Sequence, residues 1–144
     1  SVLILLARKI ATQAHVDPSR RSSRSVVHLH RFKALLNRNF REQRAITFYA
    51  ERLGITPTQL NRICREELGL SALGVINDRL LTEARRDLAY SSLSVKEIAL
   101  TLGFSDPSYF SRFFTKHAGM SPSDFRIKVR DQFDQERASA VSGT

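Results

Sequence analysis

Two stretches of the chain match each other at an offset of 50 residues: TPTQLNRICREELGLSA at residues 56–72 and DPSYFSRFFTKHAGMSP at residues 106–122. The match needs no gap, and most of its key positions share their chemical type. The matched pairs are Pro57 with Pro107, Leu60 with Phe110, Arg62 with Arg112, Ile63 with Phe113, Gly69 with Gly119 and Ser71 with Ser121. The chain therefore contains an internal repeat, and one structural explanation should hold for both copies.

Each copy is preceded by a short helical pattern in which a small residue is followed, four positions later, by glycine. Ala50 and Gly54 stand in this relation before the first copy, and Ala99 and Gly103 before the second, which has one extra residue in its turn. The alanine lets two helices cross closely, and the glycine takes a left-handed backbone angle at little cost. A short turn into a second helix follows, so each half is predicted to be a helix-turn-helix unit.

Helix start signals agree with this division. Thr56, Asp106 and Ser121 each place a capping side chain before a proline, which is favoured at the first helical position. Ser94 and Glu97 have the spacing of a capping box. Helical spacing of apolar residues predicts helices at about residues 26–40, 48–53, 57–68, 72–90, 95–102, 107–117 and 122–133.

Composition favours an all-helical globular protein. Hydrophobic residues make up 42% of the 144 residues and charged residues 26%, and only six glycines and four prolines interrupt the chain. The formal net charge is +9, and residues 26–130 hold 17 Lys and Arg against 10 Asp and Glu. A basic domain attracts polyanions, of which DNA is the commonest. Charge alone also suits a ribosomal protein or a merely soluble one.

The chain divides into four segments. Residues 1–14 are predicted to be a helix, the tail of an N-terminal effector or dimerisation domain missing from this sequence, and residues 15–25 a linker. Residues 26–133 form the predicted double helix-turn-helix domain, and residues 134–144 a frayed tail. The sequence starts at Ser1 in mid-pattern, which predicts a fragment of a longer protein. Its first apolar run, residues 2–7, is too short to span a bilayer.

The second helix of each unit leaves one face to polar residues, while the matched apolar residues, Leu60 and Ile63 or Phe110 and Phe113, bury the inner face. Arginine and asparagine are residue types that pair with base edges in the major groove. Together with the neighbouring positions, the candidate DNA-binding residues are Thr58, Gln59, Asn61, Arg62, Arg65, Ser108, Tyr109, Ser111 and Arg112. A repeat that serves packing alone is the alternative, but two units are too few for a solenoid.

Residues 94–126, SVKEIALTLGFSDPSYFSRFFTKHAGMSPSDFR, resemble the signature of the AraC/XylS family of bacterial transcription regulators. The resemblance covers about residues 26–130. It implies an all-α fold of about seven helices, in which a long central helix, here about residues 72–90, joins two helix-turn-helix subdomains. It also implies that each second helix enters the major groove and that the base-facing positions are Thr58, Asn61, Arg62, Ser108, Tyr109 and Arg112.

Two of these positions depart from an ideal base reader. Tyr109 is bulky, so it either packs or touches a phosphate or a thymine methyl. Thr58 is short, which leaves direct readout by the first unit to Asn61 and Arg62. The resemblance further implies double-stranded DNA and RNA polymerase as partners, activation of transcription in the cytoplasm, and dimerisation of the full-length protein through its N-terminal domain.

No catalytic, cofactor or metal site is predicted. The histidines are scattered, no Cys or carboxylate cluster joins them at metal-ligand spacing, and Cys64 is expected to pack in a helix. Two other functions stay open. Some DNA-alkylation repair proteins carry this kind of helix pair beside a zinc-bound cysteine domain, and a protein-interaction module could use a basic face to meet an acidic partner.

Overall fold

The computed structural model describes residues 18–143, and within them it contains seven helices and no strand. The helices are α1 (Pro18–Asn39), α2 (Ile46–Leu53), α3 (Pro57–Leu68), α4 (Ala72–Tyr90), α5 (Val95–Thr101), α6 (Pro107–Ala118) and α7 (Pro122–Ser142). The predicted all-α fold is confirmed. The predicted helix at residues 1–14 lies outside the described residues.

The first and last helices are longer than predicted. Helix α1 already runs through residues 18–25, so the linker prediction is wrong there: Pro18 is well suited to a first turn, and no glycine or proline follows to end the helix. Ser25 is buried, whereas Val26, the apolar residue at the predicted start of the helix, is 37% exposed. At the other end, α7 continues beyond the predicted limit through residues 134–142, since their Gln, Glu, Arg and Ala favour a helix.

The described residues cluster into two compact units, residues 18–77 and 78–143, with the boundary inside α4. Unit 1 is used below for residues 18–77 and unit 2 for residues 78–143. Helix α4 thus supplies its first six residues to unit 1 and the remainder to unit 2, in agreement with the predicted central helix. Each unit contains one of the predicted helix-turn-helix pairs, α2 with α3 and α5 with α6.

The core of unit 1 forms where α1 packs on α2 and α3. Tyr49 is fully buried, contacts the ring of Phe32 edge-on, and donates a hydrogen bond from its hydroxyl to the carbonyl of Gln43 at 2.7 Å. Burial raises the pKa of Tyr49 to about 12. The other buried apolar side chains of this unit are Leu36, Phe40, Ala50, Leu53, Leu60, Ile63, Cys64, Ala72, Val75 and Ile76.

The core of unit 2 is richer in aromatic rings. Phe104 lies against Phe110 at 5.2 Å between ring centroids, and Phe114 lies against Phe125 at 5.5 Å. Phe113 was predicted to be buried like its counterpart Ile63 but is only half-buried, because it lies at the edge of this cluster. The fully buried side chains are Leu80, Ala84, Leu88, Ile98, Ala99, Leu102, Phe110 and Phe114.

The turns of the two helix-turn-helix pairs have the same hydrogen bonds. The residue after each turn glycine donates its N–H to the carbonyl of the predicted alanine, Ala50 in unit 1 and Ala99 in unit 2, at 3.0 Å in both. Gly54 and Gly103 have left-handed φ angles of 70° and 85°, which disfavour any residue with a Cβ. The structure therefore confirms the predicted basis of the repeat.

The end of α4 is fixed by a side chain from α7. Arg126 donates from Nε to the carbonyl of Leu88 at 3.0 Å and from Nη2 to that of Ser91 at 3.4 Å. These bonds satisfy carbonyls that a helix end leaves without partners. Arg126 belongs to the family-like stretch of residues 94–126, and its capping of α4 was not foreseen from the sequence.

Candidate nucleic-acid interface

Helix α3 begins with a reciprocal capping box. The hydroxyl of Thr56 accepts the N–H of Gln59 at 3.1 Å, and the side-chain oxygen of Gln59 accepts the N–H of Thr56 at 2.9 Å. Two N–H groups that the helix leaves unpaired are satisfied in this way. Gln59 is one of the residues predicted to bind DNA, and its side-chain oxygen is engaged in starting the helix.

Asn61 also has a structural contact. Its side-chain oxygen accepts the N–H of Ala72, the first residue of α4, at 2.9 Å. The side chain is half-buried rather than exposed, and it ties the middle of α3 to the start of α4. In this arrangement Asn61 positions α3, and the sequence-based assignment to a base-reading face misses the bond because Ala72 lies eleven residues further along the chain.

The exposed face of α3 carries Thr58, Arg62 and Arg65. Arg62 forms an ion pair with Glu66, one turn further along, with Nη1 at 3.4 Å from Oε1. The two side chains are 54% and 42% exposed, so solvent screens their attraction and the pair contributes little to folding. Glu66 was not among the predicted site residues, although its spacing of four residues from Arg62 signals the contact.

Helix α6 starts with a different cap. Asp106 accepts the N–H of Ser108 at 2.9 Å, and the third helical residue, Tyr109, takes no part in this bond. Tyr109 is 55% exposed. Of the two outcomes predicted for this residue, packing is partly realised, because its ring lies 5.8 Å from the ring of Phe104.

Arg112 lies above the ring of Tyr109, with its guanidinium carbon 5.9 Å from the ring centroid. An arginine stacked on an aromatic face gains cation–π attraction and keeps its donors available around its edge. Arg112 itself is exposed. The pair therefore presents a guanidinium on the surface of α6, at the position that Arg62 occupies on α3.

Ser111 is the counterpart of Asn61 and is half-buried like it. The residue that corresponds to Ala72 is Pro122, which has no backbone N–H to satisfy. A long acceptor side chain is therefore needed in unit 1 and not in unit 2, and the short serine fits that difference. Ser71 and Ser121, by contrast, cap the following helices alike, each accepting an N–H at 3.1 Å.

The two second helices differ in charge. Helix α3 carries two arginines and two glutamates, for a net charge of zero, whereas α6 carries one arginine and one lysine, for +2 with His117 neutral. The largest change is from Glu66 in the first copy to Lys116 in the second, since the changes at Arg65 and Glu67 cancel each other. Lys116 is exposed, and like Glu66 it was missed as a candidate. Comparing the two copies position by position reveals both residues.

Three further findings concern metal ligands, the cysteine and the membrane, in the part of the chain that the structure describes. No group of three or more His, Cys, Asp or Glu side chains is arranged to hold a metal ion there. Cys64 is fully buried in α3, as expected, and burial raises its pKa to about 11. None of the described helices is both long and apolar enough to cross a bilayer.

Comparison with known proteins gives the same assignment. The family model described as "Helix-turn-helix domain" matches residues 49–128. The arabinose operon regulatory protein of Escherichia coli K12 is 33% identical over 87 residues, which are 60% of this chain and 30% of that protein. The transcriptional activator RhaS of E. coli SE11 is 32% identical over 133 residues, 92% of this chain and 45% of RhaS.

A solved structure extends the likeness to the fold. The DNA-binding domain of AdpA, described as a global transcriptional factor and solved in complex with a target DNA, aligns with a TM-score of 0.67 and 26% identity. The alignment covers 74% of this chain and 96% of that domain. The chain spans between 30% and 45% of the length of the curated relatives named above. It belongs to the AraC/XylS family of transcription regulators and carries their two-unit helix-turn-helix DNA-binding domain.

Proposed function

We propose that the chain binds specific double-stranded DNA sites by placing α3 and α6 in successive major grooves, each reading base edges through its exposed arginine. The observation that carries this proposal is the pair Arg62 and Arg112, which occupy the same position in the repeat and are both exposed. A guanidinium can donate two hydrogen bonds to O6 and N7 of guanine, the commonest specific contact in the major groove.

Base readout then falls on the exposed side chains of the two helices. These are Thr58, Arg62 and Arg65 on α3, and Ser108, Tyr109 and Arg112 on α6. Gln59, Asn61 and Ser111 are proposed to contribute less to readout: the first two hold helix ends with their side-chain oxygens, and the third is short and half-buried. The excess of Lys and Arg supplies the attraction to phosphates that any DNA offers.

We infer that the protein activates transcription in the cytoplasm and contacts RNA polymerase once it is bound to its site. The activator relative, 32% identical, supports the direction of the effect. We further propose that a longer protein containing this domain dimerises through an additional domain, since the matched relatives are more than twice as long as the part they share with this chain.

The chain itself is proposed to bind DNA as a monomer and without a small molecule. Two helix-turn-helix units in one chain already supply the two half-site contacts that most such proteins obtain by dimerising. Covalent linkage through α4 removes the association cost of bringing in the second unit. Sedimentation of the complex with one selected site should give one chain per DNA, and two chains per minimal site would contradict the proposal.

Selection of bound sequences from random DNA, followed by gel-shift titration over a range of salt, tests the function as a whole. The expected result is an enriched motif whose binding survives competitor DNA and weakens steeply with salt, because counterions return to the phosphates. A protein-interaction module with a basic face would yield no enriched motif. Binding that does not discriminate between the selected and random sequences would contradict specific readout.

A further inference from the structure

We infer that Glu66 is a specificity-determining residue of α3: by holding Arg62, it weakens binding to random DNA more than binding to the correct site. This inference rests on the proposed function, because it assigns a role within the DNA-reading face of α3. Glu66 is an acidic residue on a surface that is expected to be basic, because that surface is proposed to bind DNA.

The geometry of the pair sets what Glu66 can do. Both carboxylate oxygens lie near a single nitrogen of Arg62, Nη1, at 3.4 and 3.5 Å. The other edge of the guanidinium, Nε and Nη2, is the edge that remains for a two-bond contact with guanine. Arg62 can therefore read a base without leaving Glu66. The distances are longer than those of a tight charged hydrogen bond, so the pair restrains Arg62 without fixing it.

Random DNA presents a different demand. Affinity for random DNA comes almost entirely from contacts between positively charged side chains and phosphates. To meet a phosphate fully, Arg62 has to give up its partner, and the carboxylate of Glu66 itself is repelled by the DNA backbone. Both effects penalise sequence-independent binding. At the correct site the first is avoided, because Arg62 keeps its contact with Glu66 while it reads the base.

The repeat offers an internal reference for this effect. The residue at the matching position of α6 is Lys116, so Arg112 has a like charge one turn away and rests on Tyr109 instead. The positive charge of α6 thus attracts any DNA. In α3, Glu66 restrains Arg62, and Arg62 is expected to bind a base more readily than a phosphate. A site occupied by both units gains selectivity from the first and general affinity from the second.

The test uses the 144-residue chain with Glu66→Gln and measures Kd for the selected site and for random DNA. Glu66→Gln should tighten random-DNA binding by about two- to fivefold, the range that an exposed ion pair is worth. Binding to the selected site should tighten less, so that the ratio of the two Kd values falls. A matched control, Glu51→Gln, removes the same charge from an exposed position on α2 and should leave the ratio unchanged.

The same substitution in an Arg62→Ala background separates a role through Arg62 from a simple charge effect. Without the arginine, Glu66→Gln should no longer change the ratio. Three results would each overturn the inference. Glu66→Gln could increase the affinity for both DNAs equally, Glu51→Gln could lower the ratio of the Kd values as much, or the ratio could still fall without Arg62. A parent chain that binds both DNAs alike would instead contradict the proposed function, so the two failures are distinguishable.

Discussion

Helices α3 and α6 occupy the same place in two copies of one motif, yet they divide their polar side chains differently. In α3, Gln59 and Asn61 are engaged in holding helix ends, and Arg62 has an acidic partner. In α6, Asp106 caps the helix from outside it, and Tyr109 and Arg112 form a stacked pair on the surface. The same topology therefore leaves more of the polar side chains of α6 than of α3 available for a partner.

The cause is partly a single residue outside both helices. Helix α7 begins with Pro122, whereas α4 begins with Ala72, whose N–H needs an acceptor. Asn61 supplies it, and unit 2 has no matching requirement. The side-chain oxygen of Asn61 is therefore occupied by a backbone N–H and is not available for recognition.

The largest effect is expected from the cores. Phe110→Ala should lower the free energy of unfolding of unit 2 by about 3–5 kcal/mol, because it opens a cavity at a fully buried ring. Leu60→Ala, its counterpart, should cost unit 1 about 2–5 kcal/mol. Urea unfolding followed by circular dichroism measures both.

The exposed neighbour Lys116→Ala is the control for these core variants and should stay within about 0.5 kcal/mol of the parent. If the urea unfolding curves of Phe110→Ala and Leu60→Ala matched that of the parent, the inner faces of α3 and α6 would be assigned wrongly.

The next effect concerns readout. Arg62→Ala and Arg112→Ala should each weaken binding to the selected site by about 1–3 kcal/mol and relax the preference at one base pair. The two relaxed positions should differ, because each arginine belongs to a different unit. Repeating the site selection with each variant identifies them.

Arg85→Ala is the matched control, since it removes the same charge from an exposed position on α4. It should weaken all sequences alike, as loss of a general attraction to phosphates does. If the Arg62 and Arg112 variants lost the same affinity for selected and for random DNA, neither arginine would contact a base specifically.

A smaller effect separates Asn61 from Ser111. Asn61→Ala should lower the free energy of unfolding by about 1 kcal/mol, since the N–H of Ala72 loses its acceptor. Ser111→Ala should change it by less than about 0.5 kcal/mol, because Pro122 has no N–H in the corresponding place. Equal effects in urea unfolding would show that the two positions do not differ as the hydrogen bonds indicate.

The smallest effect is at Cys64. With its pKa raised to about 11, on the order of one thiol in a thousand is ionised at pH 8, and the side chain is fully buried. A disulfide reagent should therefore label it only after denaturant is added, and DNA binding should be insensitive to the reagent. Fast labelling of the native chain would contradict the packing of α3.

Most of the fold could be predicted from the sequence because the repeat and its caps are local signals. Helices α3 and α4 begin and end where the pattern placed them, and the alanine and glycine positions have the predicted turn geometry. The start of α1 and the end of α7 could not be predicted. Residues 18–25 and 134–142 lack apolar periodicity, and whether such polar segments stay helical depends on propensity and neighbours rather than on a pattern.

The candidate interface was predictable by position but not by partner. Arg62, Arg112 and Tyr109 are exposed on the helices where the repeat placed them. Periodicity shows which face a side chain is on, but not that Asn61 reaches the backbone of the next helix. That contact depends on the geometry of the turn between α3 and α4, which a helical pattern does not encode.

The central claim, that both units read sequence in the major groove, is tested most directly by methylation interference at guanine N7 on a selected site bound by the 144-residue chain. Two clusters of interfering guanines are predicted, about one helical turn (roughly 10 base pairs) apart. Arg62→Ala should remove interference from one cluster and Arg112→Ala from the other. A single cluster, or interference unaffected by either substitution, would contradict readout by two units.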